Sequence, residues 1–344
     1  MPAKKIVQSG LRWLVVLTTL AACTKKESYL APANDLVLNI PSHFPSPVYN
    51  FETDNQLTIE GVALGKALFF DPILSNDKTI SCASCHFPEA AFSDPGKAFS
   101  EGVFGRLGSR NSPAMFNLIW HPSFMWDGGV NHIEVMPIAP LTDFHEMDMD
   151  WADILSRLNE SEFYKREFKK VFNDVIIDDQ KLLYVLTQFM ATLISSNAKY
   201  DKWARGEVQL SPQEQQGRQL FMNQCNTCHQ APLFSTFDYK NNGLDSIFLD
   251  EGRALITLNS NDLGKFKIPS LRNVELTYPY MHDGRFSSLD EVILHYTDGI
   301  VPSPTLAEEL TDSFQFSITE KKALKAFLLT LTDWEFVEND AFRP

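Results

Sequence analysis

Basic residues are scarce in this sequence relative to acidic ones. The 344 residues include 30 lysines and arginines against 44 aspartates and glutamates, which gives a formal net charge of −14 at pH 7. A surface this acidic repels nucleic acid and attracts basic partners. The composition therefore excludes a nucleic-acid-binding function and favours a small basic protein as a partner.

The N-terminus lacks an apolar run long enough to span a membrane. Residues 13–22 form a short apolar run preceded by basic residues, which is typical of a secretory signal peptide. Leu20-Ala21-Ala22-Cys23 resembles the lipobox of bacterial lipoproteins, whose cysteine is acylated. We therefore predict a signal peptide over residues 1–22 and a periplasmic protein anchored through a lipid on Cys23, with an unmodified thiol as the alternative. Thr24 follows where an aspartate would favour inner-membrane retention, so the outer membrane is favoured.

Strand signals are also few, and most of the chain has the apolar spacing of helices. Residues 23–50 are polar and then punctuated by proline, which predicts a tether with no packed element. Residues 151–172 and 180–195 repeat apolar side chains every three or four positions. Ser211-Pro212-Gln213-Glu214 is typical of a helix start, with proline at the first position and a capping-box glutamate. The predicted fold class is mostly α.

Only five cysteines are present, and four of them form two Cys-x-x-Cys pairs, each followed by a histidine. The two motifs are Cys82-Ala83-Ser84-Cys85-His86 and Cys225-Asn226-Thr227-Cys228-His229. This spacing is typical of c-type haem attachment, because both thiols can bond to one porphyrin edge while the adjacent imidazole ligates the iron. We therefore predict two covalently bound haem c groups. With Cys23 lipidated, no cysteine remains for a structural disulfide.

Two other uses of the cysteine pairs stay open. A zinc ion held by all four cysteines would leave His86 and His229 without a role. A thioredoxin-type redox site needs only one pair and no following histidine. Haem attachment is favoured because it accounts for both cysteine pairs and both histidines.

An internal repeat surrounds the two motifs. Residues 65–69 precede the first motif as residues 217–221 precede the second. Downstream, the matching segments share a constant offset of 156 residues: 113–117 with 269–273, and 126–128 with 282–284. We therefore predict two helical haem domains related by duplication, over residues 51–205 and 206–344. Trp126 in the first unit corresponds to His282 in the second, so the two haems are expected to do different jobs.

With these motifs, residues 55–335 resemble the dihaem bacterial cytochrome c peroxidases and their relative MauG. Besides the haem motifs, the resemblance rests on Arg110-Asn111-Ser112-Pro113, Phe124-Met125-Trp126-Asp127-Gly128-Gly129, Glu146-Met147, Pro269-Ser270-Leu271-Arg272-Asn273 and Pro279-Tyr280-Met281-His282-Asp283-Gly284. It implies two cytochrome c-like domains, with His86 ligating a peroxide-reactive N-terminal haem iron. His229 would then ligate an electron-transfer haem iron.

The resemblance also implies roles for residues outside the haem motifs. Glu146 corresponds to the family's catalytic distal glutamate, a base that takes a proton from peroxide and returns it to the departing oxygen. Trp126 corresponds to a tryptophan between the haems that is suited to relaying an electron; a core aromatic is the alternative. Asn111, Thr277 and Pro279 match positions that hold a calcium ion through oxygen atoms.

Three positions depart from the peroxidase pattern. Val103 stands where many members have a histidine that leaves the peroxide-reactive iron on activation, and Met136 stands where a distal glutamine is common. The methionine ligand of the second iron is replaced by Tyr296, which is also the MauG ligand. His295 is the alternative, because adjacent helical side chains point about 100° apart and only one of the two can face the iron.

These residues favour a peroxidase that reduces hydrogen peroxide to water with electrons from a small donor protein, a cytochrome c or a cupredoxin. The alternative is a MauG-like oxidase that modifies side chains of a partner protein. A pure electron-transfer cytochrome is disfavoured, because a carrier needs no distal carboxylate. A homodimer is a candidate assembly.

Overall fold

The computed structural model describes residues 1–2, 34–51 and 55–344. The predicted signal peptide, Cys23 and the first part of the tether lie outside the described residues. In the described part, no helix is long and apolar enough to cross a membrane. That part consists of helices joined by irregular segments, with one small sheet, so the prediction of a mostly α protein is confirmed.

The regular elements fall into two runs of helices separated by the small sheet. The helices of the described residues are α1 (Ile59–Phe70), α2 (Ile138–Thr142), α3 (Trp151–Glu160), α4 (Glu162–Phe172), α5 (Asp179–Ala191), α6 (Lys199–Ala204), α7 (Pro212–Gln224), α8 (Ala254–Thr257), α9 (Leu289–Leu294), α10 (Ile318–Leu329) and α11 (Trp334–Val337). Strands β1 (Tyr239–Lys240) and β2 (Phe266–Lys267) pair antiparallel. A π-helical turn, His295–Gly299, extends α9.

Local sequence signals explain where the helices begin and end. The start predicted at Ser211 is confirmed, since α7 begins at Pro212 and Ser211 and Glu214 form the capping box. Residues 151–172, whose apolar spacing is helical, form two helices. Ser161 ends α3, and its side chain caps α4 by accepting a hydrogen bond from the Tyr164 amide, because serine satisfies free N–H groups at a helix start better than it continues a helix.

The helix before each haem motif crosses a later helix at a glycine. A side chain at Gly65 of α1 would collide with the Val185 carbonyl oxygen of α5, and one at Gly217 of α7 would collide with the Ala323 carbonyl oxygen of α10. Only glycine permits backbones to approach this closely. The two matching sequence segments therefore form equivalent helix crossings.

Backbone hydrogen bonds also recur from donor residues that lie 156 positions apart. Asn117 and Asn273 both adopt a left-handed conformation, with φ of 54° and 56°. The Asn117 amide donates to the Leu193 carbonyl, as the Asn273 amide donates to the Leu331 carbonyl. Likewise, the Phe124 amide donates to the Val130 carbonyl, as the Tyr280 amide donates to the Phe286 carbonyl. The matching sequence segments thus have matching local structure.

Three clusters of buried apolar side chains form the core. One lies among α1, α3, α4 and α5, and another between α7 and α10. The third joins the first half of the chain to its end, since Phe92 and Phe116 pack with Phe336 and Val337. The Phe92 and Phe336 ring centroids are 5.9 Å apart. Residues of the last helix therefore complete a core that the first half begins.

The described part of the tether packs on the body. It contains no helix or strand, as predicted, but Phe44 is buried against the ring of Trp120 at a centroid distance of 5.1 Å. The Trp120 indole N–H donates to the Pro45 carbonyl at 2.8 Å. Burial of Phe44 and the hydrogen bond accepted by Pro45 hold this segment against the body, although its prolines prevent regular structure.

A buried ion pair links α6 to the second half. The Arg272 guanidinium donates two hydrogen bonds to the Asp201 carboxylate, at 2.6 and 2.8 Å, and neither side chain is exposed. His43 of the tether lies 3.3 Å from the same carboxylate. α6 therefore contacts both the tether and the second half, on the N-terminal side of the predicted domain boundary.

Removing the charge of Asp201 is expected to be costly, because it leaves the Arg272 charge buried without its partner. We expect Asp201→Asn to lower the free energy of unfolding by about 3–5 kcal/mol, measured by urea denaturation of the purified protein. The matched control is Asp290→Asn, which breaks the surface pair with Lys325 and should change stability by less than about 1 kcal/mol. Equal losses in the two variants would contradict the assignment.

Candidate active site

Both Cys-x-x-Cys-His motifs line one continuous cavity of about 1260 Å³. Typical pockets for a single small ligand measure roughly 300–1,000 Å³. All six predicted site residues outside the motifs also lie on its wall: Trp126, Glu146, Tyr296, Asn111, Thr277 and Pro279. The cavity therefore has the size and the lining for large cofactors shared between the two halves.

The first motif presents its histidine in the form that ligates a metal. His86 Nδ1 lies 2.8 Å from the Phe92 carbonyl oxygen. A carbonyl only accepts, so Nδ1 carries the proton and Nε2 keeps its lone pair. Burial lowers the pKa of His86, which keeps the ring neutral.

The second motif repeats this arrangement. α7 ends at Gln224, and His229 Nδ1 lies 3.2 Å from the Phe234 carbonyl oxygen. Burial lowers the pKa of His229 to about 4. Each motif thus orients one imidazole through its own backbone, and the Ser112 hydroxyl lies 3.5 Å from His86 Nε2, the ring nitrogen that would ligate iron.

The four cysteines of the motifs are free thiols in the described part of the chain. Burial raises the pKa of Cys82 and of Cys225 to about 12, and that of Cys85 to about 11. Among residues 1–2, 34–51 and 55–344, no three histidine, cysteine or acidic side chains are grouped as a metal site. The two cysteine pairs are therefore not brought together as one zinc site within the described residues, and each pair with its histidine fits a haem.

Glu146 lies on the cavity wall close to the first motif. The Glu146 side chain faces the open cavity, but protein atoms surround its carboxyl group. This burial raises the pKa of Glu146 to about 7; the charge of Asp143 adds to the rise, and His145 opposes it. The Glu146 carbonyl accepts a hydrogen bond from the Val103 amide at 2.8 Å. A carboxyl group with this pKa can both accept and donate a proton near neutral pH.

The departures from the peroxidase pattern differ in their placement. Val103 is fully buried, whereas Met136 lines the cavity. His132 and His145 are about half exposed. His121 is buried, with its ring 4.3 Å from that of Phe237. His121 and His145 line the cavity, and neither ring nitrogen of His121 has a hydrogen-bond partner among the described residues.

Trp126 is held between the two halves by hydrogen bonds. Its indole N–H donates to the Asn111 carbonyl at 2.7 Å, and its own carbonyl accepts from the Lys267 amide at 2.7 Å. Asn111 in turn donates its amide to the His282 carbonyl. The indole therefore lies on the cavity wall in a fixed orientation.

Tyr296 and His295 point in different directions, as predicted for neighbours on a helix. Tyr296 lines the cavity, and burial raises the pKa of its phenol to about 12. His295 Nε2 instead lies 2.9 Å from the Asn242 carbonyl oxygen, which holds the ring in the protein. Only the tyrosine faces the cavity that contains the second motif.

The three calcium candidates lie on one side of the same cavity. Asn111, Thr277 and Pro279 all line it. The Asn111 side-chain NH₂ donates to the carbonyls of Lys97 and Ala98, so its amide oxygen faces the other way. The donor types fit calcium, which takes oxygen ligands.

Sequence reasoning missed an ion-pair network beside Trp126. Arg110 bridges Asp127 and Asp250, residues that are far apart in the sequence. Lys267 lies partly buried nearby, donates to the Ser123 carbonyl, and has its pKa lowered to about 7 by desolvation of its ammonium group. Arg110 and Asp127 belong to recognisable motifs, but nothing in the sequence marks Asp250 or Lys267.

Comparisons with known proteins agree with this geometry. Residues 59–209 match the family model described as di-haem cytochrome c peroxidase. The chain is 32% identical to the methylamine utilization protein MauG of Methylophilus methylotrophus, over 92% of this chain and 94% of that protein. It is 31% identical to the cytochrome c551 peroxidase of Nitrosomonas europaea, over 78% and 79% of the two chains. A solved MauG-like protein associated with microbial copper homeostasis superposes with a TM-score of 0.80, at 30% identity over 89% of this chain and 98% of that one.

Proposed function

The chain belongs to the di-haem cytochrome c peroxidase and MauG family, and from this premise we propose that it is a periplasmic peroxidase that reduces hydrogen peroxide to water with electrons from a small donor protein. The donor is a cytochrome c or a cupredoxin. The acidic composition of this chain favours a basic donor. Two covalent haem c groups are its cofactors.

The observation that carries this proposal is the carboxyl group of Glu146. It lies on the wall of the cavity shared by both haem motifs, and its pKa of about 7 suits proton transfer near neutral pH. An electron carrier needs no such group. Peroxide reduction does, because a proton must move from one oxygen to the other as the O–O bond breaks.

The haem iron, when bound, supplies the electrons that cleave the O–O bond. His86 and His229 orient the two irons through neutral imidazoles whose Nδ1 protons are held by backbone carbonyls. Glu146 takes the proton from the near peroxide oxygen and returns it to the departing one. Trp126, fixed between the halves, is suited to relaying an electron from one half to the other.

We further propose that residues 51–205 and 206–344 are two haem domains related by duplication. The matching glycine crossings and the hydrogen bonds whose donors lie 156 residues apart support this relationship. A calcium ion held by Asn111, Thr277 and Pro279 would link the two domains. The same proposal includes the signal peptide, the lipid on Cys23, attachment to the outer membrane and a homodimer.

A MauG-like oxidase that modifies a partner protein is the second candidate. Tyr296 favours it, because a phenolate ligand stabilises ferric and higher oxidation states better than a thioether does. The two haems share oxidising equivalents more easily when the C-terminal haem has a low reduction potential.

Peroxide turnover tests the proposed function. Mass spectrometry first verifies two haems on the mature chain, and the oxidised protein is then mixed with hydrogen peroxide and a reduced basic cytochrome c. We expect peroxide-dependent oxidation of the cytochrome without prior reduction of the enzyme, because Val103 cannot ligate iron. If the cytochrome stays reduced while a partner protein gains oxygen or a cross-link, the second candidate replaces the first.

A further inference from the structure

A short series of aromatic rings connects the protein surface to the histidine of the second motif. We call Trp203, Tyr200 and Phe234 the aromatic ladder. The ring centroids of Trp203 and Tyr200 are 5.6 Å apart, and those of Tyr200 and Phe234 are 4.8 Å apart. The Phe234 carbonyl then accepts from His229 Nδ1 at 3.2 Å. Trp203 and Tyr200 are partly exposed, whereas Phe234 is buried.

The equivalent place in the first half contains only phenylalanine. His86 Nδ1 contacts the Phe92 carbonyl, and the Phe92 ring packs against Phe336 at 5.9 Å and Phe342 at 6.2 Å. Tryptophan and tyrosine are the aromatic side chains that lose an electron most readily, whereas phenylalanine resists oxidation. Both halves therefore place a phenylalanine beside the haem-motif histidine, but among the described residues only the second continues from it to a tyrosine and a tryptophan.

We propose that Trp203 and Tyr200 form the route by which electrons pass from the surface to the C-terminal half after hydrogen peroxide has oxidised the enzyme, because peroxide, unlike a ferric haem, is a strong enough oxidant to take an electron from either ring. This inference rests on the proposed function, in which the C-terminal haem exchanges electrons with a donor. Reduction of one peroxide to two waters consumes two protons and two electrons. Two one-electron carriers are therefore oxidised in each turnover, and their electrons cross the ladder singly.

The surroundings of Trp203 suit a transit site rather than a store of charge. The Arg218 guanidinium lies 4.5 Å from the centre of its ring. A cation over the indole face is attracted to the neutral ring and disfavours a lasting positive charge on it. Tyr200 is anchored by its amide, which donates to the Thr330 carbonyl of the second half, so the ring spacing is set by the fold.

Without a donor, the ladder itself becomes the reductant. The indole of Trp203 then gains one oxygen atom in place of a hydrogen, and one peroxide yields the inserted oxygen and one water. We expect peptide mapping by mass spectrometry, after treating the holoprotein with hydrogen peroxide alone, to find more oxidation at Trp203 than at Trp334. Trp334 is the internal control, because it is 51% exposed and lies outside the ladder. Preferential oxidation of Trp334, the outcome of attack from solution, would overturn the proposal.

Donor kinetics give a second, independent readout. Trp203→Phe keeps the ring packing but removes the oxidisable indole. We expect it to slow the oxidation of a reduced cytochrome c by the peroxide-treated holoprotein by roughly tenfold. Reduction of the resting ferric haems by dithionite, and cytochrome oxidation by peroxide-treated Trp334→Phe, should stay at the wild-type rate. Tyr200→Phe tests the same route if Trp203→Phe does not fold.

Two outcomes separate this inference from the proposed function. If peroxide leaves the haem spectrum of the wild-type protein unchanged, the proposed function fails and the ladder fails with it. If the spectrum responds and the cytochrome is oxidised, but Trp203→Phe and Tyr200→Phe both match the wild type, only the ladder is overturned.

Discussion

Replacing Glu146 by glutamine is expected to lower kcat/KM for hydrogen peroxide by about 10² to 10⁴, the usual contribution of a general acid–base group. Glutamine keeps the size of the side chain but cannot take or return a proton. Glu160→Gln, at the end of α3 and outside the cavity wall, is the matched control and should retain wild-type activity. Full activity in Glu146→Gln would assign the carboxyl group a structural role.

The pH profile tests the same residue without removing it. The pKa of Glu146 is raised to about 7 by burial and by Asp143, so below this pH the carboxyl group is protonated and cannot accept the peroxide proton. kcat/KM should therefore rise as the pH increases through about 7. Asp143→Asn removes the neighbouring negative charge and should move the midpoint to lower pH. A midpoint that does not move would show that another group controls the profile.

Replacing Tyr296 by phenylalanine is expected to raise the reduction potential of the C-terminal haem by on the order of tenths of a volt, within the range that axial ligands control. The phenolate is lost, and with it the preference for ferric iron. Burial alone raises the pKa of Tyr296 to about 12, but ligation to a cation reverses that effect and favours the phenolate. Redox titration and magnetic circular dichroism measure the change.

His295→Ala is the matched comparison for Tyr296→Phe. His295 is held by the Asn242 carbonyl, so its loss should loosen that contact and leave the low-spin haem signal in place. If only the His295 change shifts the signal, histidine is the ligand. The case for a MauG-like oxidase would then weaken, because it depends on the tyrosine.

Short-range signals in the sequence predicted local structure well. The capping box at Ser211 predicted the start of α7, and helical geometry predicted that Tyr296 and His295 face different ways. The helical spacing of residues 151–172 continues through Ser161, but the segment forms two helices because the Ser161 hydroxyl caps the second. Spacing reports which side chains share a face, but the competition between a serine side chain and the backbone decides whether a helix continues.

Long-range partnerships were beyond the sequence. The Arg110–Asp250 pair joins residues 140 positions apart, and no local pattern distinguishes Asp250 from other surface aspartates. The partly buried position of Lys267 likewise depends on how the two halves pack. The raised pKa of Glu146 has the same origin, since its main cause is burial in the assembled fold.

The packing of Phe336 and Val337 against Phe92 and Phe116 has a consequence for biogenesis. A ribosome makes the chain from its N-terminus, so the first core stays incomplete until the final residues emerge. Contacts across so long a sequence separation form late and slow folding. Phe92 lies six residues after His86 of the first motif, so Cys82 and Cys85 stay accessible for haem attachment during that interval. A chain truncated before α11 would leave this core open and would be prone to aggregate through its exposed apolar surface.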